Sequence, residues 1–226
     1  MKPFAALLVA AVMLHAAPVQ VVSRGPTQER RVALTFDAGA DRGYAARILA
    51  TLEHNGVRAS FGMTGAWARV NSDLVRRMVR DHDTLINHTY DHRSFTGLST
   101  RTAPLTTAQR TWEITETERV LRRIGGAAVR PYFRPPFGDY DMATQLLLGR
   151  LGYRYMVMWT VDSLGWDHLS APSILRRCLA ALTPGGIVLM HVGIQSQDAL
   201  ALQPLIIAAK HRGYTFVTVA ALLSGH

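Results

Sequence analysis

Five short apolar runs in this sequence each stop at side chains able to do acid–base or metal chemistry. Val32–Phe36 runs into Asp37-Ala38-Gly39-Ala40-Asp41, and Thr84–Asn87 into His88-Thr89-Tyr90-Asp91-His92. Pro131–Phe133 delivers Arg134-Pro135-Pro136-Phe137-Gly138, Tyr155–Val161 ends in Asp162-Ser163-Leu164-Gly165-Trp166-Asp167, and Ile187–Met190 ends in His191. A lone Asp or His at a strand end is usually a turn or cap residue. Five polar ends meeting on one face make a reactive cluster. His88 and His92 are four positions apart, so on a helical turn both imidazoles point the same way and can share one metal ion; two surface histidines are the plain alternative. Beside strand-end carboxylates they make a His₂-carboxylate site with positions left for water and substrate, Asp37 and Asp41 being the candidate oxygen ligands. His191 follows a wholly apolar strand. A satisfied core histidine is the dull alternative there, whereas a place at the strand terminus points to a general acid or base.

Such ends converge only if the strands run parallel. Seven strand-like segments are present: Val32–Phe36, Val57–Met63, Thr84–Asn87, Pro131–Phe133, Tyr155–Val161, Ile187–Met190 and Tyr214–Val219. Helical patterns separate them, over Tyr44–His54, Ser72–His82, Thr106 or Thr107 to Ile124, Asp141–Leu151, Ser170 or Ser173 to Leu182, and Asp198–Arg212. Strands alternating with helices argue for a parallel sheet with helical crossovers, whose working residues sit past the C-terminal strand ends. The predicted fold is α/β, a distorted or incomplete (β/α) barrel of about seven parallel strands with outer helices; an open doubly wound sheet is the runner-up. Arg93–Pro104 is the one long polar connection, expected on the surface.

Composition excludes several classes. At 48% hydrophobic and 18% charged the chain has ample material for a core and lies far from disorder. Cys178 is the sole cysteine, which rules out an internal disulfide framework and any Cys-rich zinc module. The net charge of +9 rests on arginines dispersed as pairs (Arg30–Arg31, Arg76–Arg77, Arg122–Arg123, Arg176–Arg177), with no basic stretch interleaved with aromatics. The expected partners therefore exclude nucleic acid, and attraction to an anionic cell-wall polymer is the milder reading. Lys2, an apolar run from Phe4 to Leu14 and then His15-Ala16-Ala17-Pro18 have the parts of a secretory signal peptide. Residues 1–18 are expected to be removed, leaving no stable membrane span and placing the mature chain outside the cytoplasm, secreted or cell-wall associated.

Over about residues 31–220, and in the right order, these motifs resemble the polysaccharide deacetylases, the NodB-homology domain of carbohydrate esterase family 4. That family removes N-acetyl groups from chitin-like polymers or peptidoglycan. The resemblance implies a distorted β/α barrel over 31–220 and a divalent metal, usually Zn2+ and sometimes Co2+ or Ni2+. It makes Asp37 the catalytic base, His88 and His92 metal ligands with Thr89 steadying their loop, and Arg134 the partner that orients the base. Leu189 becomes a pocket wall, His191 the acid, and Trp166 the groove tryptophan. Three positions depart from the family pattern. Ala38 stands where a metal-binding Asp is usual, and Asp41 is the expected replacement ligand. Phe137 stands for a tyrosine and is expected to bind substrate through its backbone N–H and ring face. Gly165 stands for the Asp that keeps the acid histidine protonated, and Asp162 or Asp167 is the candidate substitute. The implied substrate is an N-acetylated glycan, and the chain is expected to be a monomer. A non-catalytic carbohydrate-binding protein is one alternative, and a hydrolase of acetyl esters on xylan or of a small cyclic amide is another.

Overall fold

The computed structural model describes residues 17–125 and 128–224. Except for Ala17 and Pro18, the predicted signal segment lies outside the described residues. The longest strand is β2 (Arg31–Ala38), whose last seven residues are all buried. Before it comes β1 (Gln20–Val22); after it come β3 (Ser60–Met63), β4 (Thr84–Asn87), β5 (Tyr132–Phe133), β6 (Tyr155–Val157), β7 (Val161–Asp162), β8 (Ile187–His191) and β9 (Thr215–Phe216). Every strand ladder is parallel, in the order β1-β6-β5-β4-β3-β2-β8-β7, with β9 added to the start of β2. The sheet curls into a half-barrel whose edge strands β1 and β7 do not pair with each other. This is the incomplete (β/α) barrel expected from the alternation.

Crossovers are made by α1 (Ala45–His54), α2 (Gly65–Val70), α3 (Ser72–Arg80), α4 (Thr107–Gly125), α5 (Met142–Arg150), α6 (Ala171–Ala181) and α7 (Asp198–His211), and α8 (Val219–Leu223) follows β9. Period-two alternation along β2 decides which residues meet the helices. Leu34, Phe36 and Ala38 join the large core that contains Ile48, Met78, Cys178 and Leu202. Ala33 faces the other way, packed with Ile86, Val157, Ile187 and the α8 residues Val219 and Leu222. Thr35 and Asp37 share the parity of Ala33, so the inward face passes from an apolar floor to a carboxylate at the strand's C-terminal end.

Four features depart from the sequence pattern. The predicted strand Tyr155–Val161 is interrupted between β6 and β7, where Arg134 Nε donates to the Val157 carbonyl at 2.9 Å and Nη2 to that of Met158 at 3.4 Å. Those carbonyls are thereby taken from any continuing ladder. The three-residue β1, too short to alternate visibly, pairs with β6 and buries Val22. The six-residue α2 is started by Thr64, whose hydroxyl accepts the Trp67 N–H at 3.1 Å. Thr218 caps α8 in the same way and so cuts short the predicted last strand. Among the described residues the regular elements run from β1 to α8.

Candidate active site

Asp37 is the next-to-last residue of β2, and Gly62 of β3 leaves it room: a Cβ at Gly62 would run into Asp37 Oδ1. That oxygen accepts from Arg134 Nη1 at 2.8 Å, and Oδ2 lies 3.5 Å from His88 Nε2. Burial alone raises the Asp37 carboxyl, but the adjacent Arg134 guanidinium, with His88 and His191, outweighs it and holds the group below the usual carboxylate range. Arg134 is fully buried. Its carbonyl also receives His88 Nδ1 at 2.9 Å, a bond that fixes the tautomer and leaves a lone pair on Nε2.

His88 and His92 do come together, though not on a helical turn. The segment after β4 is irregular, and Thr89 and His92 both take φ of 65°. These left-handed residues set the two rings 4.8 Å apart, edge to face, with the Phe137 ring 4.6 Å beyond His92. Thr89 steadies the turn as expected: its Oγ1 accepts the His92 N–H at 3.2 Å, and its own N–H goes to Asn87 Oδ1 at 3.0 Å. Glu113 of α4, which sequence reasoning did not single out, accepts the N–H groups of Tyr90 and Asp91 at 2.9 and 3.1 Å. Burial pushes His88 down, and burial with the neighbouring His88 pushes His92 down to about 3. Both rings are therefore neutral at pH 7, the form that donates to a metal.

The expected third ligand is not brought to them. Asp41 Oδ1 accepts from Ile194 N–H at 3.0 Å, while its carbonyl accepts from Trp67 Nε1 at 2.7 Å. These bonds make Asp41 a clamp that ties the loop after β2 to the loop after β8 and to α2. Ala38, the family's usual ligand position, is packed in the core. Among the described residues no three His, Cys, Asp or Glu side chains are gathered to hold a metal ion. What fits a divalent cation is the pair of neutral imidazoles, one with its tautomer fixed.

His191 closes β8 directly beside Asp37 in the ladder register. Neither predicted tuning carboxylate reaches it. Asp162 accepts from Leu164 N–H at 2.9 Å and Trp166 Nε1 at 3.0 Å, and Asp167 is an exposed residue of a 3-10 turn. The carboxylate next to His191 is Asp198 of α7, whose Oδ2 accepts the His191 backbone N–H at 2.8 Å and lies 3.9 Å from Nδ1. An open cleft of about 820 Å³ is lined by Asp37, Asp41, His88, His92, Phe137, Asp162, Trp166, Leu189 and His191. Of the residues singled out from sequence, Ala38, Thr89, Arg134, Gly165 and Asp167 are not part of its wall. Trp159 lines it too, under the Arg134 guanidinium at 5.7 Å. Half-exposed Trp166 and Phe137 offer flat apolar faces of the kind that sugar rings stack on.

Residues 24–156 match the family profile described as polysaccharide deacetylase. A peptidoglycan-N-acetylglucosamine deacetylase of Bacillus cereus is 31% identical over 201 residues, covering 88% of this chain and 70% of its own length. The chain belongs to the polysaccharide deacetylase family. Among solved deacetylase structures, a peptidoglycan N-acetylglucosamine deacetylase in complex with 4-naphthalen-1-yl-N-oxidanyl-benzamide superposes with a TM-score of 0.83 at 27% identity, covering 91% of this chain and 94% of that one. A carbohydrate esterase family 4 pseudoenzyme from Bacillus anthracis superposes with a TM-score of 0.81 at 26% identity, covering 91% of this chain and 69% of that one. Within this deacetylase fold, the residues that sequence reasoning passed over (Glu113, Gly62, Trp159 and Asp198) act through tertiary contacts that no local motif announces.

Proposed function

We propose that this chain is an N-deacetylase of an N-acetylglucosamine-containing cell-wall or chitin-like polysaccharide, working outside the cytoplasm as a monomer. The observation that carries the reading is the placement of Asp37, paired with Arg134, beside His191 at the base of one cleft. A binding module has no use for an ionised base next to an imidazole. An amide is a poor electrophile and water a poor nucleophile at neutral pH. Asp37, kept ionised by Arg134, takes the proton of the attacking water. The Phe137 backbone N–H is the candidate donor to the developing oxyanion, a contact of a kind worth roughly 3 kcal/mol. His191 hands a proton to the departing sugar nitrogen, so that an amine and acetate leave rather than an amide anion. His88 and His92 would hold a divalent cation, Zn2+ being the first choice, and such an ion when bound polarises the acyl oxygen. Leu189, Trp166 and the Phe137 ring seat the sugar.

Acetate release from chitooligosaccharides, peptidoglycan and acetylxylan, with and without added Zn2+, tests the reading. N-acetylated glycans releasing acetate in the wild type, and not in Asp37→Asn, is the expected result. Release from acetylxylan alone would move the activity to esters.

A second reading, glycan binding without turnover, is favoured by Ala38, by the missing third ligand and by the pseudoenzyme among the related structures. Saturable glycan binding with no acetate under any metal would decide for it.

A further inference from the structure

We infer that Asp198 is the positioning residue for the His191 acid, its carboxylate standing in the space that Gly165 leaves open. The inference rests on the deacetylase reading for what His191 does, and on geometry alone for the pairing. A Cβ built on Gly165 would lie 2.5 Å from Asp198 Oδ2 and 2.6 Å from its Cγ, and would strike Ser196 Oγ. A side chain at 165 and this carboxylate therefore exclude one another. The family pattern places an Asp at 165, before Trp166; here the carboxylate reaches the same point from α7.

Asp198 is fully buried. Its Oδ2 receives the His191 backbone N–H, Ser163 Oγ at 3.1 Å and Ser196 Oγ at 2.8 Å. Two buried atoms beside this knot have no hydrogen-bond partner: Asp198 Oδ1 and His191 Nδ1. Buried polar atoms left bare are costly, and these two belong to side chains already in contact. A small turn of the imidazole closes an Nδ1–H to carboxylate bond, which fixes the tautomer and turns Nε2 to the cleft. The ionisable groups facing His191 are Asp198 from α7, Asp37 from β2, and His88 and His92 from the loop after β4. Asp37 is held by Arg134, whereas Asp198 still has an unpartnered oxygen, Oδ1, to serve the ring.

Nitrogen-15 NMR of the imidazoles at a pH where His191 is neutral tests the pairing without reference to turnover. The wild type is expected to carry the His191 proton on Nδ1. In Asp198→Asn, which keeps an acceptor for the His191 backbone N–H, that preference is expected to collapse. kcat should then fall at least ~10-fold while KM stays within about twofold. Adding Gly165→Asp to Asp198→Ala should recover much of the lost kcat. A wild-type His191 with its proton on Nε2, or an unchanged tautomer in Asp198→Asn, overturns the assignment. A tautomer change in Asp198→Asn, with a wild type that never releases acetate, upholds the pairing and sinks the deacetylase reading instead.

Discussion

Arg134 meets Asp37 with one nitrogen and the carbonyls of Val157 and Met158 with the others, so removing the charge of Asp37 leaves a buried cation short of its counter-ion. Asp37→Asn should cut turnover by at least ~100-fold and destabilise the fold by about 3 kcal/mol at pH 6, read by urea denaturation. The folded Asp37 carboxyl lies below its unfolded value of about 3.9. Its contribution is therefore present above that value and fades as pH falls through the lower, folded one. The stability gap between wild type and variant should accordingly shrink below about pH 4; a gap constant from pH 6 to pH 3 would refute the account. Asp41 leads to the opposite expectation from the one its sequence position suggests. Because Asp41 Oδ1 is held by the Ile194 N–H and no third ligand-type side chain is gathered with His88 and His92 among the described residues, Asp41→Ala should leave Zn2+ affinity unchanged by calorimetry. It should cost about 1 kcal/mol of stability from the loop contact.

At the scale of elements, α4 and β3 do the positioning. Glu113 ties the histidine loop to α4, and burial, the first cause, together with Asp91 raises its carboxyl to about 7. A folded value above the unfolded one means stability is full below about pH 4.5 and drains as pH rises through 7. Glu113→Gln keeps an acceptor and should flatten that decline in thermal melts from pH 5 to 8, whereas Glu113→Ala should destabilise by about 1–3 kcal/mol throughout. Gly62→Ala should push the Asp37 carboxylate off Arg134, costing about 1–3 kcal/mol and most of the activity, measured by melting and acetate release. Strand ends were legible because Asp37, Arg134 and His191 each break an apolar run at a point the parallel fold turns to one face. The His88–His92 loop was legible in its residues and not in its geometry, since left-handed Thr89 and His92 leave no mark in a spacing. The break between β6 and β7 was hidden for a related reason: Arg134, more than twenty residues upstream, imposes it on a run of uniform strand formers. Asp198 reads locally as an ordinary acidic residue opening a helix, and only packing shows what it faces.

The whole molecule sets what kind of substrate the cleft can take. A second depression, lined by Trp159, Thr160, Arg177 and the β7 residues Val161 and Asp162, shares Trp159 and Asp162 with the cleft. If both depressions bind the proposed glycan through the shared Trp159 and Asp162, kcat/KM should rise with chitooligosaccharide length from two to about five rings and then level off. A flat dependence would confine binding to a single residue of the polymer. No helix among the described residues is long and apolar enough to cross a membrane.

That β1 and β7 never join has a final bearing on the product. On the proposed deacetylation, a cleft at the end of a sheet that does not close would take a polymer laid across it, with no terminus to be threaded. The expected product is then a chain of undiminished length with free amines scattered along it.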